Sequence, residues 1–281
     1  MDVADLVRQH YGGVDLQAGI LAGLTAAGVD VDHLTVDDLS AVDQLHAGFS
    51  DATRYLLGRL DLGPATRLLD VGCGIGGPAR LAAAEHGCRV TGVDLSPGFV
   101  DTARSLTERV NLADRVDFRV ASGEDLGVHD ASFDAAMMVH VGMNIPDKAA
   151  VFTDVRRALR DGATFAVFEQ MRIADGELTY PLPWAEDSRS SFVASPDEYA
   201  RALESAGFSV TSTEDRTAQT SGPPGPAGPP GHPGPSGPAG GSARLSPMAV
   251  FGPEFGRRIG NNIAATRAGL LAPILILARA S

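Results

Sequence analysis

The chain has 281 residues, enough for one large domain with a generous core, or for a core and a small lid. Its formal net charge is −12 and no basic cluster offsets it, which argues against phosphate-backbone binding and so against a nucleic-acid partner. Two cysteines, Cys73 and Cys88, make no disulfide framework and suit a reduced cytoplasm.

The first residues, Met1 to Asp5, lack the charged and apolar regions of a signal peptide, so a cytoplasmic protein is expected. Leu16, Ile20 and Leu24, then Leu45, Phe49, Leu56 and Leu60, recur at helical spacing and predict two or three helices, ended by Gly63-Pro64. An apolar strand, Leu68 to Val71, then carries an acid, Asp70, at its end. It breaks into a loop holding Gly72, Gly74, Gly76 and Gly77, and a helix from Pro78 stops at Gly87. A strand, a glycine loop and a helix N-terminus make a cradle for a nucleotide-like ligand.

Strands and helices alternate from here. Arg89 to Asp94 reads as a second strand ending in an acid, and Ser96-Pro97 start a helix toward Val110. A third strand, Val116 to Ala121, leads into Ser122-Gly123-Glu124, and a fourth, Phe133 to Val139, ends at His140. A helix runs to Leu159 and is closed by Arg160-Asp161-Gly162, with a fifth strand from Ala163 to Phe168 followed by Glu169. Such alternation predicts an α/β fold: a seven-stranded, mostly parallel doubly wound sheet, with ligand at the carboxyl ends of the strands.

Two ligands compete for the cradle. Gly72, Gly74 and Gly77 match the dinucleotide spacing, and Asp94 lies where a ribose would be held. A dinucleotide brings a pyrophosphate, however, which Asp70 would repel. S-adenosylmethionine (SAM) brings an α-ammonium and a sulfonium, which Asp70 would attract. The pattern Asp70-x-Gly72-x-Gly74-x-Gly76 resembles that of class I SAM methyltransferases. The element spacing from Arg67 to about Glu169 is similar too, within the group that includes quinone and sarcosine/dimethylglycine-type enzymes. The likeness extends to Asp43-Gln44-Leu45-His46 and to Pro181-Leu182-Pro183-Trp184, so that it covers nearly the whole chain apart from one insert.

That resemblance implies a Rossmann-like methyltransferase fold with N-terminal helices and a small lid. Its domains would be cap helices over 1–62, a SAM-binding core over 63–170, a lid over 171–195, and a C-terminal part of the core over 196–281. It implies Asp70 at the methionine end of SAM, Asp94 on the ribose, Leu95 against adenine, and Gly72, Gly74 and Gly76 in close backbone approach. Cys73 would pack beside the ligand. Ser122, Gly123 and Glu124 would lie near the adenine edge and Val139 along the cofactor. Ser122 stands where the family often has an Asp, leaving a neutral acceptor in place of a charged one. Cap helices of relatives fold over the cofactor, which would bring Tyr11 and His46 toward it; the Tyr11 ring could meet the sulfonium as a cation–π partner. Packing on the sheet is the alternative for both.

Methyl transfer needs alignment, water exclusion and removal of a proton from the acceptor. His140, at the carboxyl edge, could be a general base, or a ring that merely packs. Glu169 could bind a cationic amine or take its proton. No metal cluster with ligand spacing is seen. The expected partner is a small-molecule methyl acceptor, with homo-oligomerisation open. The acceptor would be a natural-product or quinone-like ring, or a small amine. The rivals are a non-catalytic SAM-binding scaffold and a nicotinamide-dependent oxidoreductase.

Downstream, Arg172 to Val193 is expected to be the lid, and Ser195-Pro196-Asp197-Glu198 a capping box opening a helix that ends at Gly207. Phe208 to Thr213 reads as a sixth strand. Six collagen-type triplets fill Gly222 to Ala239, within an insert at about 221–242. A polyproline-like or disordered loop is expected there, with trimerisation as the alternative. Pro253 to Gly269 reads as a helix. Leu270 to Ala278 is too short to span a bilayer and contains Pro273. Its core, Ile274 to Ala278, reads as a last strand buried on both faces, antiparallel by the resemblance.

Overall fold

The computed structural model describes residues 16–220 and 253–281. Tyr11 and the collagen-like insert at about 221–242 lie outside the described residues. Three helices open the described chain: α1 (Leu16–Ala26), α2 (Val36–Asp43) and α3 (Phe49–Leu57). There follow β1 (Arg67–Val71), α4 (Gly77–His86), β2 (Arg89–Asp94), α5 (Pro97–Arg109), β3 (Val116–Val120) and β4 (Phe133–Val139). The chain continues as α6 (Lys148–Ala158), β5 (Leu159–Arg172), α7 (Pro196–Ser205), β6 (Phe208–Asp215), α8 (Thr217–Thr220), α9 (Pro253–Arg267) and β7 (Leu271–Ala280).

The seven strands form one sheet in the order β3-β2-β1-β4-β5-β7-β6. The first five are parallel, and β7 enters antiparallel between β5 and β6. Nine of the ten residues of β7 are buried, in keeping with a strand covered on both faces. The strand order reverses between β1 and β4, so the carboxyl ends there open the crevice in which open α/β sheets bind ligands.

Local chemistry sets the element ends. Ser96 accepts from the Phe99 N–H at the start of α5, and Asp147 from the Ala150 N–H at the start of α6. The Ser195 hydroxyl and Glu198 carboxylate cap α7 reciprocally, as the sequence predicts.

Two expectations are corrected. The Arg160-Asp161-Gly162 turn before the fifth strand is a bulge inside β5: pairing with β4 jumps from Phe133–Leu159 to Ala135–Thr164. At its other end β5 runs four residues beyond Phe168, carrying Glu169 and Gln170 within the sheet.

Side-chain parity gives the sheet two faces. Leu69, Val71, Ala136, Met138 and Val167 pack under α6 and α7, while Leu68, Met137, Ala166 and Phe168 pack under α3, α4 and α5. Register joins Asp70 to Met137 and Met137 to Ala166, so Asp70 and Phe168 share the second face and Glu169 belongs to the first.

The segment from Arg172 to Val193, expected to be a lid, is fastened down. Trp184 is 3% exposed and packs with Met143, Leu182, Ala265 and Leu271. Its indole N–H donates to Ser191 Oγ at 3.0 Å, and its carbonyl accepts from Asn144 Nδ2 at 2.7 Å. Trp184 therefore anchors the segment.

Candidate functional site

The glycine loop folds back over β2: Gly72 N–H and Cys73 N–H both donate to the Val93 carbonyl, at 2.8 and 2.9 Å. Two glycines show what the loop requires. A Cβ on Gly77 would collide with the Asp43 carbonyl oxygen, because the end of α2 lies against this turn. Gly74 has φ +53° and would meet nothing within 4 Å, so its Cα faces open space on the side where a ligand can approach.

Above this opening lie two acids. Asp70 is 1% exposed, and one of its carboxylate oxygens, Oδ2, has no hydrogen-bond partner. Burial, with Asp94 nearby, pushes its carboxyl up to about 8. Asp94 accepts the Gly74 N–H on Oδ2 and the Ser96 N–H on Oδ1, each at 2.9 Å, which fixes the carboxylate across the loop mouth. Its burial outweighs those donors and raises its carboxyl too. Cys73, buried beside both acids, has its thiol pushed well up by burial and then by their charge, which makes it a poor nucleophile.

The Ala121 N–H donates to the Asp94 carbonyl at 3.0 Å, bringing Ser122 and Gly123 alongside. Ser122 Oγ is taken up by the Glu124 N–H at 3.2 Å, and the Glu124 side chain is exposed. Leu95 and Val139 are half-buried at the ends of β2 and β4.

His140 ends β4 with φ +55°, a left-handed backbone uncommon outside glycine. This break in strand parity brings its ring 5.2 Å from that of Phe168 and 5.7 Å from that of His46. Its Nε2 is buried and unpartnered. Burial, and to a lesser extent His46, holds the imidazole well below its usual range, so it is neutral at physiological pH. His46 is likewise neutral, drawn down to about 4 by burial. Its Nε2 lies 2.9 Å from Thr53 Oγ1 and 3.1 Å from Gln44 Oε1, and Thr53 donates to Gln44 at 2.7 Å.

Asp70, Gly72, Cys73, Gly74, Gly76, Asp94, Leu95, Ser122, Gly123, Val139, His140 and His46 thus gather along the carboxyl edge of β1 to β4. Glu124 points to solvent, and Glu169 sits across the sheet. Sequence reasoning passed over Gln170, 2% exposed with Oε1 unpartnered, on the face of Phe168 and Asp70. It also passed over Thr53, whose polarity inside an apolar helical pattern was the available signal, and gave Gln44, quoted only as part of the family likeness, no role.

The site fits SAM on two counts. A buried carboxylate lacking a counter-ion would be satisfied by a cation, and the half-buried Gly74 backbone, with no protein atom within 4 Å of where a Cβ would stand, leaves room for a ligand. Among the described residues no group of three or more His, Cys, Asp or Glu could hold a metal ion, and no helix is long and apolar enough to cross a membrane.

Comparison with known proteins agrees. Residues 69–167 match the family described as "Methyltransferase domain". The 27-O-demethylrifamycin SV methyltransferase of Amycolatopsis mediterranei is 32% identical over 211 residues, 74% of this chain and 76% of that protein. A sarcosine/dimethylglycine N-methyltransferase of Halorhodospira halochloris is 25% identical over 209 residues, 74% of this chain and 69% of that protein. In fold, the chain is similar to the geranyl diphosphate C-methyltransferase of Streptomyces coelicolor A3(2), with a TM-score of 0.63 at 20% identity, over 83% of this chain and 79% of that one. The chain belongs to the class I SAM-dependent methyltransferases. It is an enzyme that uses SAM to methylate small molecules.

Proposed function

We propose that the methyl acceptor is a hydroxyl group on a partly apolar natural-product or quinone-like molecule, with His140 as the base on the acceptor side. One observation carries this reading: the acceptor face offers a neutral imidazole with a free, buried Nε2 beside Phe168, and Glu169, the expected partner for a cationic amine, lies on the opposite face. The relative that methylates 27-O-demethylrifamycin SV acts, by its name, on oxygen.

When bound, SAM supplies an electrophilic methyl group whose leaving group is a neutral thioether. The chain's own residues do the rest. Asp70 holds the cationic methionine end, and Asp94, with a lone pair left on each oxygen, holds the ribose hydroxyls. Gly74 allows the close approach, whereas Gly72 and Gly76, expected to share that part, are glycines because a Cβ would strike Val141 and Phe118 respectively; Leu95 and Val139 pack on the ligand. Ser122 Oγ accepts the Glu124 N–H and keeps its own O–H and a second lone pair, and with the backbone at Gly123 it meets the adenine edge. His140 Nε2 takes the hydroxyl proton as a general base. His46, held by Gln44 and Thr53, backs the His140 ring, and Gln170 Oε1 accepts from a second donor on the acceptor.

Two buried, unpaired thiols support a reduced, cytoplasmic setting.

The test is labelled-methyl transfer from SAM into a panel holding a phenolic naphthoquinone, a macrocyclic secondary alcohol and sarcosine. Label on a hydroxylated compound, lost in His140→Ala with SAM affinity retained, is the expected result. Label on sarcosine alone, or full transfer by His140→Ala, would overturn the reading.

A further inference from the structure

The end of β5 carries two adjacent polar residues directed to opposite faces. Gln170 belongs to the acceptor side. Glu169 is fully buried on the other side, among the apolar residues under α6 and α7. Its Oε1 accepts the backbone N–H groups of Val141 at 3.0 Å and Gly142 at 2.9 Å, the two residues that follow His140. The His140 N–H itself donates to the Phe168 carbonyl at 2.8 Å. Three consecutive N–H groups of the loop after β4 therefore end on two consecutive residues of β5.

The far end of the loop is anchored separately. Lys148, the only lysine in the chain, donates from Nζ to the Ile145 carbonyl at 2.9 Å and the Phe192 carbonyl at 2.7 Å. Between these anchors there is no slack: a Cβ on Gly142 would collide with the Tyr199 hydroxyl. Packing alone would be served by an apolar side chain at 169, since a buried carboxyl is costly and Glu169 Oε2 has no partner. What an apolar residue could not do is satisfy two adjacent backbone donors at the point where His140 adopts its left-handed backbone.

We propose that Glu169 is a positioning residue that holds the backbone of Val141 and Gly142 so that the His140 ring is presented to the methyl acceptor. It deepens the reading of His140 as the acceptor-side base and rests on it. It replaces the direct part in binding or proton transfer that the sequence suggested for Glu169.

The test uses the full chain labelled with 13C at histidine Cε1, the His140 resonance being identified by its loss in His140→Asn. Glu169→Leu removes the acceptor oxygen, and Glu169→Gln keeps one. Glu169→Leu is expected to shift or broaden the His140 signal, to leave SAM affinity by calorimetry within about twofold, and to slow single-turnover transfer to the hydroxylated panel compound on the order of tenfold to a hundredfold. Glu169→Gln should restore both signal and rate. An unmoved His140 signal in Glu169→Leu, or a Gln variant as impaired as the Leu variant, would overturn the proposal. Should Glu169→Leu fail to fold, Glu169→Asp, one methylene too short to serve both donors, is expected to move the same signal, and its failure to do so would count equally against it. Full transfer by His140→Ala defeats the base assignment instead, so the two failures are distinguishable.

Discussion

Arg80 donates from Nη2 to Asp43 at 2.8 Å, and neither side chain is more than 1% exposed. The pair joins α2 of the N-terminal cap to α4, the helix that leaves the glycine loop. The same guanidinium also donates to the Ile75 carbonyl at 2.7 Å, inside that loop, and to Thr107 of α5 at 3.0 Å. Cap, loop and α5 are therefore held by one cation. Removing one partner strands the other charge in a dry interior, so Asp43→Ala should destabilise the fold by about 3–5 kcal/mol, whereas Asp43→Leu combined with Arg80→Met should recover much of it. Urea unfolding of the three proteins checks this.

Two glycines of the loop should fail in different ways. Gly77→Ala drives a methyl into the Asp43 carbonyl and should lower the melting temperature by several degrees. Gly74→Ala meets no neighbour but must hold φ +53°, so it should cost about 1–2 kcal/mol of backbone strain while SAM affinity falls at least about tenfold, its methyl standing on the open side of the loop. Calorimetry and thermal unfolding on both variants separate the effects.

Asp94→Ala should weaken SAM binding strongly with the fold intact. The carboxylate fixes the Gly74 N–H and, in the proposed site, is the group that would take the ribose hydroxyls. Unchanged affinity in calorimetry would remove Asp94 from the cofactor site.

Proton linkage gives a pH signature in the ligand-free enzyme. Folded, Asp70 and Glu169 each titrate near 8, against about 4 for an unfolded carboxyl. Between those values the folded chain holds two protons that the unfolded chain has released, so stability falls as pH rises. His46, lowered to about 4, and His140, also lowered, act in the opposite sense below about 6.5, where only the unfolded chain protonates them. The contributions oppose each other from about pH 4 to 6.5; above that the histidines drop out while Asp70 and Glu169 continue to about 8, and Asp43 and Asp94, also raised by burial, act in the same sense as these carboxyls. Urea unfolding should therefore show stability declining between pH 6.5 and 8, by at most about 1.4 kcal/mol per pH unit for each carboxyl. Asp70→Asn should make that slope shallower.

The same shift predicts that SAM binding takes up a cation against a protonated Asp70. Binding near pH 7 should then release a proton, and affinity should rise toward pH 8. Calorimetry in buffers of differing ionisation enthalpy reads the proton directly, and Asp70→Asn should abolish it.

Much of the fold was legible in the sequence because its signals are local. β2 and β4 have the predicted bounds, and capping at Ser96 and Ser195 starts helices where expected. The start of β5 was misjudged because Arg160-Asp161-Gly162 has turn chemistry, while pairing with β4 absorbs it as a bulge. The glycine loop with Asp70 and Asp94 was legible since one motif carries both acids. Arg80 was not: in an Ala-rich helix it reads as surface, and its partner lies 37 residues upstream. Nor was the direction of Glu169, because its face depends on register with β4 and β7, and His140 breaks the parity one would count from.

The alternation at the end of β5 also bears on how acceptor choice can diverge. In the proposed acceptor site, position 170 borders the incoming molecule while its neighbour is committed to the hidden side, so exchange at 170 leaves the support behind His140 undisturbed. New substrates are thus open to single substitutions at 170, whereas losing or gaining one residue in this strand would swap the two roles and disable both.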